Sequence, residues 1–211
     1  MTATARPLVA IYADESCLGN GREGENPGGA GVLVEYRTPQ AGLVRRDLWI
    51  SERATTNNRM ALRSVIEAFS ALGRKGQTFR AVFCTDSRYI VDGMTRWVHD
   101  WARRDWRRKT GTIENLALWQ EAVRAAAPHE VAWRWVRGHD GHAQNEYAND
   151  VAVHAATTLT ASGGLVASGF DAWAETRRTP KGGVRLEPFP DPADFAAAAR
   201  LPQVSGGSPS L

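Results

Sequence analysis

Leu8-Val9-Ala10-Ile11-Tyr12-Ala13-Asp14 decides the fold: a short, unbroken apolar run that stops on a carboxylate. It reads as a strand, and a second apolar run, Ala30 to Tyr36, follows a Gly/Asn/Pro-rich connection as its hairpin partner. Leu43 to Ser51 supplies a third strand. Thr55-Thr56-Asn57-Asn58 then offers capping residues to a segment with Met60, Ala61, Val65, Ala68, Phe69 and Leu72 at helical spacing, predicting a helix from near Asn58 to Gly73. Ala81 to Thr85 is a buried-type strand that delivers Asp86. Helical segments are expected over Ser87 to Asp92, Thr95 to Arg107 and Asn115 to Ala127, then a fifth strand over Val131 to Val136 and a closing helix over Asn145 to Thr158. A meander followed by crossovers predicts an α/β fold, a five-stranded mixed sheet with helices on both faces, whose strand-end acids gather at the carboxyl edge.

With 211 residues, 43% of them apolar, the chain can bury one sizeable core, so one domain over 7–159 is expected. Residues 160–211 turn to Gly, Ala, Pro and Ser and read as a partly disordered extension. Within it Asp194 to Arg200 has the makings of a short helix that Phe195 would anchor, with an unpacked tail as the alternative. The net charge of +3 separates nucleic-acid binders poorly from ordinary basic enzymes, so charge distribution has to decide. Two cysteines, Cys17 and Cys84, in or beside strands argue against a disulfide framework and for a reduced compartment. With no secretory pattern at the start and no membrane-length apolar run, a cytoplasmic protein is expected.

Four segments carry the chemistry: Tyr12-Ala13-Asp14-Glu15-Ser16-Cys17-Leu18-Gly19-Asn20, Thr55-Thr56-Asn57-Asn58-Arg59-Met60, Thr85-Asp86-Ser87, and Gly138-His139-Asp140-Gly141-His142 with Asn145-Glu146. In this order they closely resemble bacterial ribonuclease HI, from about Leu8 to Ala156, and Trp97 to Trp101 with Leu118-Trp119 resembles that family's middle region. The resemblance implies the ribonuclease H-like fold and a hydrolase that cuts the RNA strand of RNA–DNA hybrids. It implies carboxylates holding two Mg²⁺ ions about 4 Å apart, with Mn²⁺ as a possible substitute. The family's first and third carboxylates fall on Asp14 and Asp86, as catalytic groups and metal ligands; a strand-end Asp taken alone is more often a turn former or cap. His139 matches the mobile-loop histidine, a proton shuttle or product-release aid suited to a side chain that titrates near neutrality. His142 is read as structural.

Two positions depart from the family. Its catalytic Glu after Thr-Thr-Asn-Asn-Arg-Met is Ala61 here, and its closing-helix Asp is Asn149, which keeps a carbonyl oxygen for a metal but no charge. Ala61 also fits as a small core residue in the stripe with Val65, Ala68 and Leu72. Asp150 cannot stand in for Asn149, because a helix turns by about 100° per residue, and Glu67 lies two turns from Ala61. Glu15, standing where the family usually has Gly, is the more interesting substitute, but successive strand residues point to opposite faces unless the strand bulges, so it is kept outside the named site and becomes the first suspect only if the chain cuts as it stands. The chain is therefore expected to be weak or inactive as it stands.

Trp97 to Lys109, with Arg96 just before it, interleaves Trp97, Trp101 and Trp106 with Arg96, Arg103, Arg104, Arg107, Arg108 and Lys109, six of the 26 Lys and Arg. This localised charge is the footprint of a phosphate-binding face, and it resembles the family's basic protrusion on the DNA strand. The tryptophans would pack on sugars or anchor the protrusion; a solvated basic helix over core tryptophans is the plainer reading. Thr56, Asn57 and Asn58 bring donors to a helix N-terminus, suited to a phosphate or the minor groove as well as to capping. Cys17, Gly19 and Asn20 match the family segment that meets the 2′-hydroxyl groove, although an insertion over Gly21 to Asn26 lengthens the loop beside them. The expected partner is an RNA–DNA hybrid, bound by a monomer. A non-catalytic hybrid-binding module and a DNA nuclease of the same broad fold are the rival readings.

Overall fold

The protein is described by a computed structural model over residues 6–19, 26–74, 76–177 and 183–204. β1 (Leu8–Cys17), β2 (Gly28–Thr38), β3 (Gly42–Glu52), β4 (Arg80–Thr85), β5 (Glu130–Trp135) and β6 (Val166–Ala167) form one sheet in the order β5-β4-β1-β2-β3-β6. β1 pairs antiparallel with β2 and parallel with β4, so the sheet is mixed, as expected, but has six strands rather than five. The sixth comes from the extension: Val166 and Ala167 pair with Asp47 and Arg46 of β3.

β1 lies mid-sheet, and its alternation sends side chains into two different cores. Val9, Ile11 and Ala13 join the core beneath α1 (Asn57–Gly73) and α4 (Leu116–Ala126). Leu8, Ala10 and Tyr12 join a second core with Tyr147 of α5 (Ala143–Thr158) and Phe170 of α6 (Phe170–Thr176). The continuous apolar run follows from this double covering.

Helix α5 sits unusually close to β2 because both surfaces are small. A Cβ on Gly31 would lie 2.2 Å from the Ala148 carbonyl oxygen, and one on Gly29 2.2 Å from that of Ala152. Any side chain at either glycine would push the helix off the sheet.

Between β4 and β5, α2 (Arg88–Asp92) passes through a π-helical turn, Gly93–Trp97, into α3 (Val98–Ala102). The helix expected over Thr95 to Arg107 therefore ends at Ala102. Asp105 and Trp106 take left-handed backbone, φ 53° and 57°, and swing the chain outward.

The described part of the extension is folded onto the domain. Tyr147 Oη (2.5 Å) and the Ser168 hydroxyl (2.6 Å) donate to the buried Asp47 carboxylate, as does Gly169 N–H (3.0 Å). Arg45 bridges Glu35 and Asp171 and lies over the Phe170 ring. The returning segment covers the outer edge of the sheet, where Ala198 N–H donates to the Val131 carbonyl. No helix forms over Asp194 to Arg200; the segment is irregular, and Phe195 packs against the second core beneath Arg80. Among the described residues no helix is long and apolar enough to cross a membrane.

Candidate active site

The parallel register of β1 and β4 builds the site. Its last rung pairs Ala13 with Thr85, so the next residue on each strand, Asp14 and Asp86, emerges side by side at the carboxyl edge. β5 runs parallel on the far side of β4, with Thr85 opposite Trp135, and carries the chain into Gly138 and His139. A Cβ on Gly138 would meet Asp86 Oδ2 at 2.1 Å, so any larger residue there would have to displace that carboxylate.

Asp14, Glu15 and Asp86 form one cluster, each offering a carboxylate oxygen within 4.8 Å of the others. Asp14 shares the face of Tyr12, toward α5. Its Oδ2 accepts from Asn145 Nδ2 at 3.0 Å, and its Oδ1 from Glu15 N–H at 2.7 Å. Glu15 leaves β1 on the face of Ala13, the one packed with Ala61, which is 1% exposed in that core. The β1–β2 register is regular through this stretch, with Asp14 opposite Gly31 and Glu15 opposite Ala30, so no bulge is involved. Alternation was the ground for leaving Glu15 out of the site, yet it sends Glu15 to the side from which a carboxylate on α1 would have come. Because β4 ends at Thr85, opposite Ala13, while β1 runs on to Cys17, Asp86 lies beyond the pairing and can face acids from both surfaces of β1. The sequence signal was the acid itself, beside Asp14 where the related pattern has glycine.

All three carboxyls are pushed above their ordinary range. Asp14 rises to about 8, through burial and then the charge of Asp86, against the opposing hydrogen bonds from Glu15 N–H and Asn145. Glu15 rises well above its ordinary value for the same reasons, burial first and then Asp14 and Asp86, with a Ser87 hydrogen bond opposing. Asp86 rises through burial, opposed by His139. No Lys or Arg is among the groups compensating these acids, so the site favours added positive charge. An all-oxygen donor set at this spacing fits a hard divalent cation.

Other expected residues are placed as follows. His139 is exposed and takes left-handed backbone, φ 52°, near Asp86. Asn149 lies one turn beyond Asn145 on α5, on the same side of the helix. Asp150 faces away, accepting from Trp173 Nε1 and Arg177. Thr56 caps α1, its hydroxyl accepting from Arg59 N–H, and Asn57 and Asn58 open that helix half-buried. The Cys17 thiol is turned inward, 3.4 Å from the Thr55 carbonyl oxygen. Asn20 lies outside the described residues.

In the basic segment, Trp97 and Trp101 pack edge-on against the buried Trp119, and Trp106 is half-buried on the same core. They anchor the protrusion, while Arg103, Arg104, Arg107 and Arg108 are exposed along it. Arg103 pairs with Asp100, and Arg107 lies 4.0 Å from Asp105. Near the site, the exposed Arg88 guanidinium stacks 3.9 Å over Trp135, whose Nε1–H donates to the Asp86 carbonyl.

The RNase H family model matches residues 6–157. A ribonuclease H of Pelobacter propionicus is 40% identical over 159 residues, 75% of this chain and 90% of that protein. One from Neisseria gonorrhoeae is 41% identical over 145 residues, covering 68% and 92%. The crystal structure of LC9-RNase H1, described as a type 1 RNase H with the type 2 active-site motif, is 68% identical with a TM-score of 0.90, covering 99% of this chain and 100% of that one.

Proposed function

The chain belongs to the ribonuclease H family, whose enzymes hydrolyse the RNA strand of RNA–DNA hybrids, and we propose that it does so with Asp14, Glu15 and Asp86 as its carboxylate core. The observation that carries this reading is the gathering of Glu15 with Asp14 and Asp86, on the face of the sheet where Ala61 leaves a carboxylate missing. In LC9-RNase H1 too a type 1 chain carries a different active-site motif. The loss at Ala61 is then a relocation of charge from helix to strand.

Divalent cations, Mg²⁺ or Mn²⁺, would be held by these three carboxylates with Asn149 as a neutral neighbour, and supply Lewis acidity at the phosphoryl oxygen and a more acidic water. The protein's own groups do the rest. Asn145 fixes the rotation of Asp14 through its amide hydrogen bond. His139, exposed beside Asp86, receives or returns a proton at its imidazole nitrogen near the leaving oxygen. The exposed arginines after Ala102 take backbone phosphates, and Thr56, Asn57 and Asn58 at the head of α1 meet the minor groove, to which the segment of Cys17 and Asn20 is assigned by sequence alone. Trp97, Trp101 and Trp106 support this grip from beneath. Both cysteines are free thiols, which fits a reducing compartment, and we expect a monomer in the cytoplasm.

Cleavage of an end-labelled RNA–DNA hybrid in Mg²⁺ and in Mn²⁺ tests the reading. The chain as it stands is expected to cut, and Glu15→Gln to lose about 100-fold in kcat while still binding. If the chain is silent and only an Ala61→Glu/Asn149→Asp variant cuts, the Glu15 site is wrong and the two substitutions disable the enzyme. Hybrid binding without cleavage by either would point to a binding module, and preferred cutting of duplex DNA to another nuclease.

A further inference from the structure

We propose that Glu187, on the returning C-terminal segment, is a positioning residue for the active site, acting through His142 on the amino end of α5. The inference rests on the reading of Asp14, Glu15 and Asp86 as the reaction centre. The family model ends at residue 157, so it assigns nothing to this segment.

Residues 185–187 lie along residues 141–144, the stretch between His139 and Asn145, and bind it almost residue by residue. Arg185 N–H donates to the Gly141 carbonyl at 2.6 Å, and Ala143 N–H to the Arg185 carbonyl at 2.9 Å. The fully buried Gln144 side chain pairs with the Glu187 backbone twice: its amide donates to the carbonyl at 2.7 Å, and its oxygen accepts from the N–H at 3.1 Å. The loop carrying His139 is thus fastened at its exit by a strand-like contact from beyond the residues that the family model matches.

The Glu187 side chain continues the line inward. One carboxylate oxygen accepts from Arg134 at 2.6 Å, and the other lies 2.6 Å from His142 Nε2. His142 Nδ1 accepts from Asn145 N–H at 3.3 Å and so caps α5. Both contacts hold together only if the ring carries its proton on Nε2 and keeps the Nδ1 lone pair free, and a carboxylate opposite Nε2 selects that tautomer. The residue whose N–H is capped, Asn145, is the one whose amide holds Asp14 Oδ2. The line runs Glu187, His142, Asn145, Asp14, each link a hydrogen bond. His142 is 7% exposed and its ring lies 5.7 Å from that of Tyr12, a setting where apolar packing would stabilise at least as well as an ionic contact. What an apolar residue could not do is fix the ring's tautomer and orientation.

The test uses the full chain with Glu187→Leu, which removes the acceptor, and Glu187→Gln, which keeps an oxygen for the Nε2–H. Hybrid cleavage is measured well below the unfolding midpoint of each variant, and nitrogen NMR reads the His142 tautomer. Glu187→Leu is expected to lower kcat roughly 10-fold with KM within about twofold, and Glu187→Gln to recover most of the loss. The parent should show the Nε2–H tautomer at His142, and Glu187→Leu a mixture with a shifted Asn145 side-chain amide. A Leu variant with the parent's kcat, or one whose loss only tracks its unfolded fraction, overturns the proposal, as does an Nδ1–H tautomer in the parent. If the parent cuts no hybrid, the functional reading fails by itself, and the NMR decides the inference: an Asn145 amide and His142 tautomer unmoved by Glu187→Leu would end it. Should the Leu variant not fold, Glu187→Gln against the parent is judged on the tautomer, which must stay Nε2–H.

Discussion

Asp14 is the residue on which the site's electrostatics turn, since it is 6% exposed and sits against two further acids. Its carboxyl moves from 3.8 to about 8 on folding, so between those pH values the metal-free folded chain holds a proton that the unfolded chain has released. The folded state is then favoured at low pH, and Asp14 costs stability increasingly as pH rises through that window. Asp14→Asn keeps the shape and drops the charge. In EDTA the variant is expected to melt above the parent at pH 8, with the gap closing toward pH 4; a gap that is constant or reversed would contradict the burial argument. Glu15 belongs to the same charge cluster, and its acid was plain in the sequence. What could not be read there was that β4 ends opposite Ala13 while β1 runs on, letting Asp86 meet acids from both faces of β1.

At the level of elements, α5 is held from both sides. Beneath it, Gly29 and Gly31 let its backbone rest on β2, which brings Asn145 within reach of Asp14. On its outer side, Tyr147 ties it to Asp47 of β3 and to the turn at Ser168 and Gly169. Tyr147→Phe removes one donor and leaves Asp47 with two, so a loss of about 1 kcal/mol is expected in urea unfolding. Asp47→Ala leaves the buried Tyr147 hydroxyl and the Ser168 hydroxyl without their acceptor, while the Gly169 N–H keeps Tyr147 Oη at 3.0 Å, and about 3 kcal/mol should go. Equal effects of the two variants would mean that the carboxylate is not the hub. The glycines in β2 and the small residues of α5 were visible as sequence. Asp47 was not distinguishable from any strand acid, because its partners lie 100 residues and more away.

Across the whole molecule, the basic protrusion is a charged arm on an aromatic root: the tryptophans pack inward on Trp119 and the arginines remain in solvent. Arg104→Ala and Arg108→Ala should each weaken hybrid binding for every sequence alike and lower the slope of log K against log salt by just under about one, as expected for one phosphate contact each. A salt slope unchanged in both would remove the arm from the binding face. The sequence by itself determined the strand that carries Asp14, though not its run on to Cys17, the helix that starts from the capping residues Thr55 to Asn58, the second acid at Asp86 and the basic, Trp-rich arm, because these depend on local periodicity, capping and residue type. Tertiary structure alone decided that Glu15 completes the acid cluster, that residues 160–177 and 183–204 pack as part of the domain, and that Glu187 reaches His142. These rest on strand register and on contacts between distant parts of the chain, where a residue's role is set by what the fold brings against it.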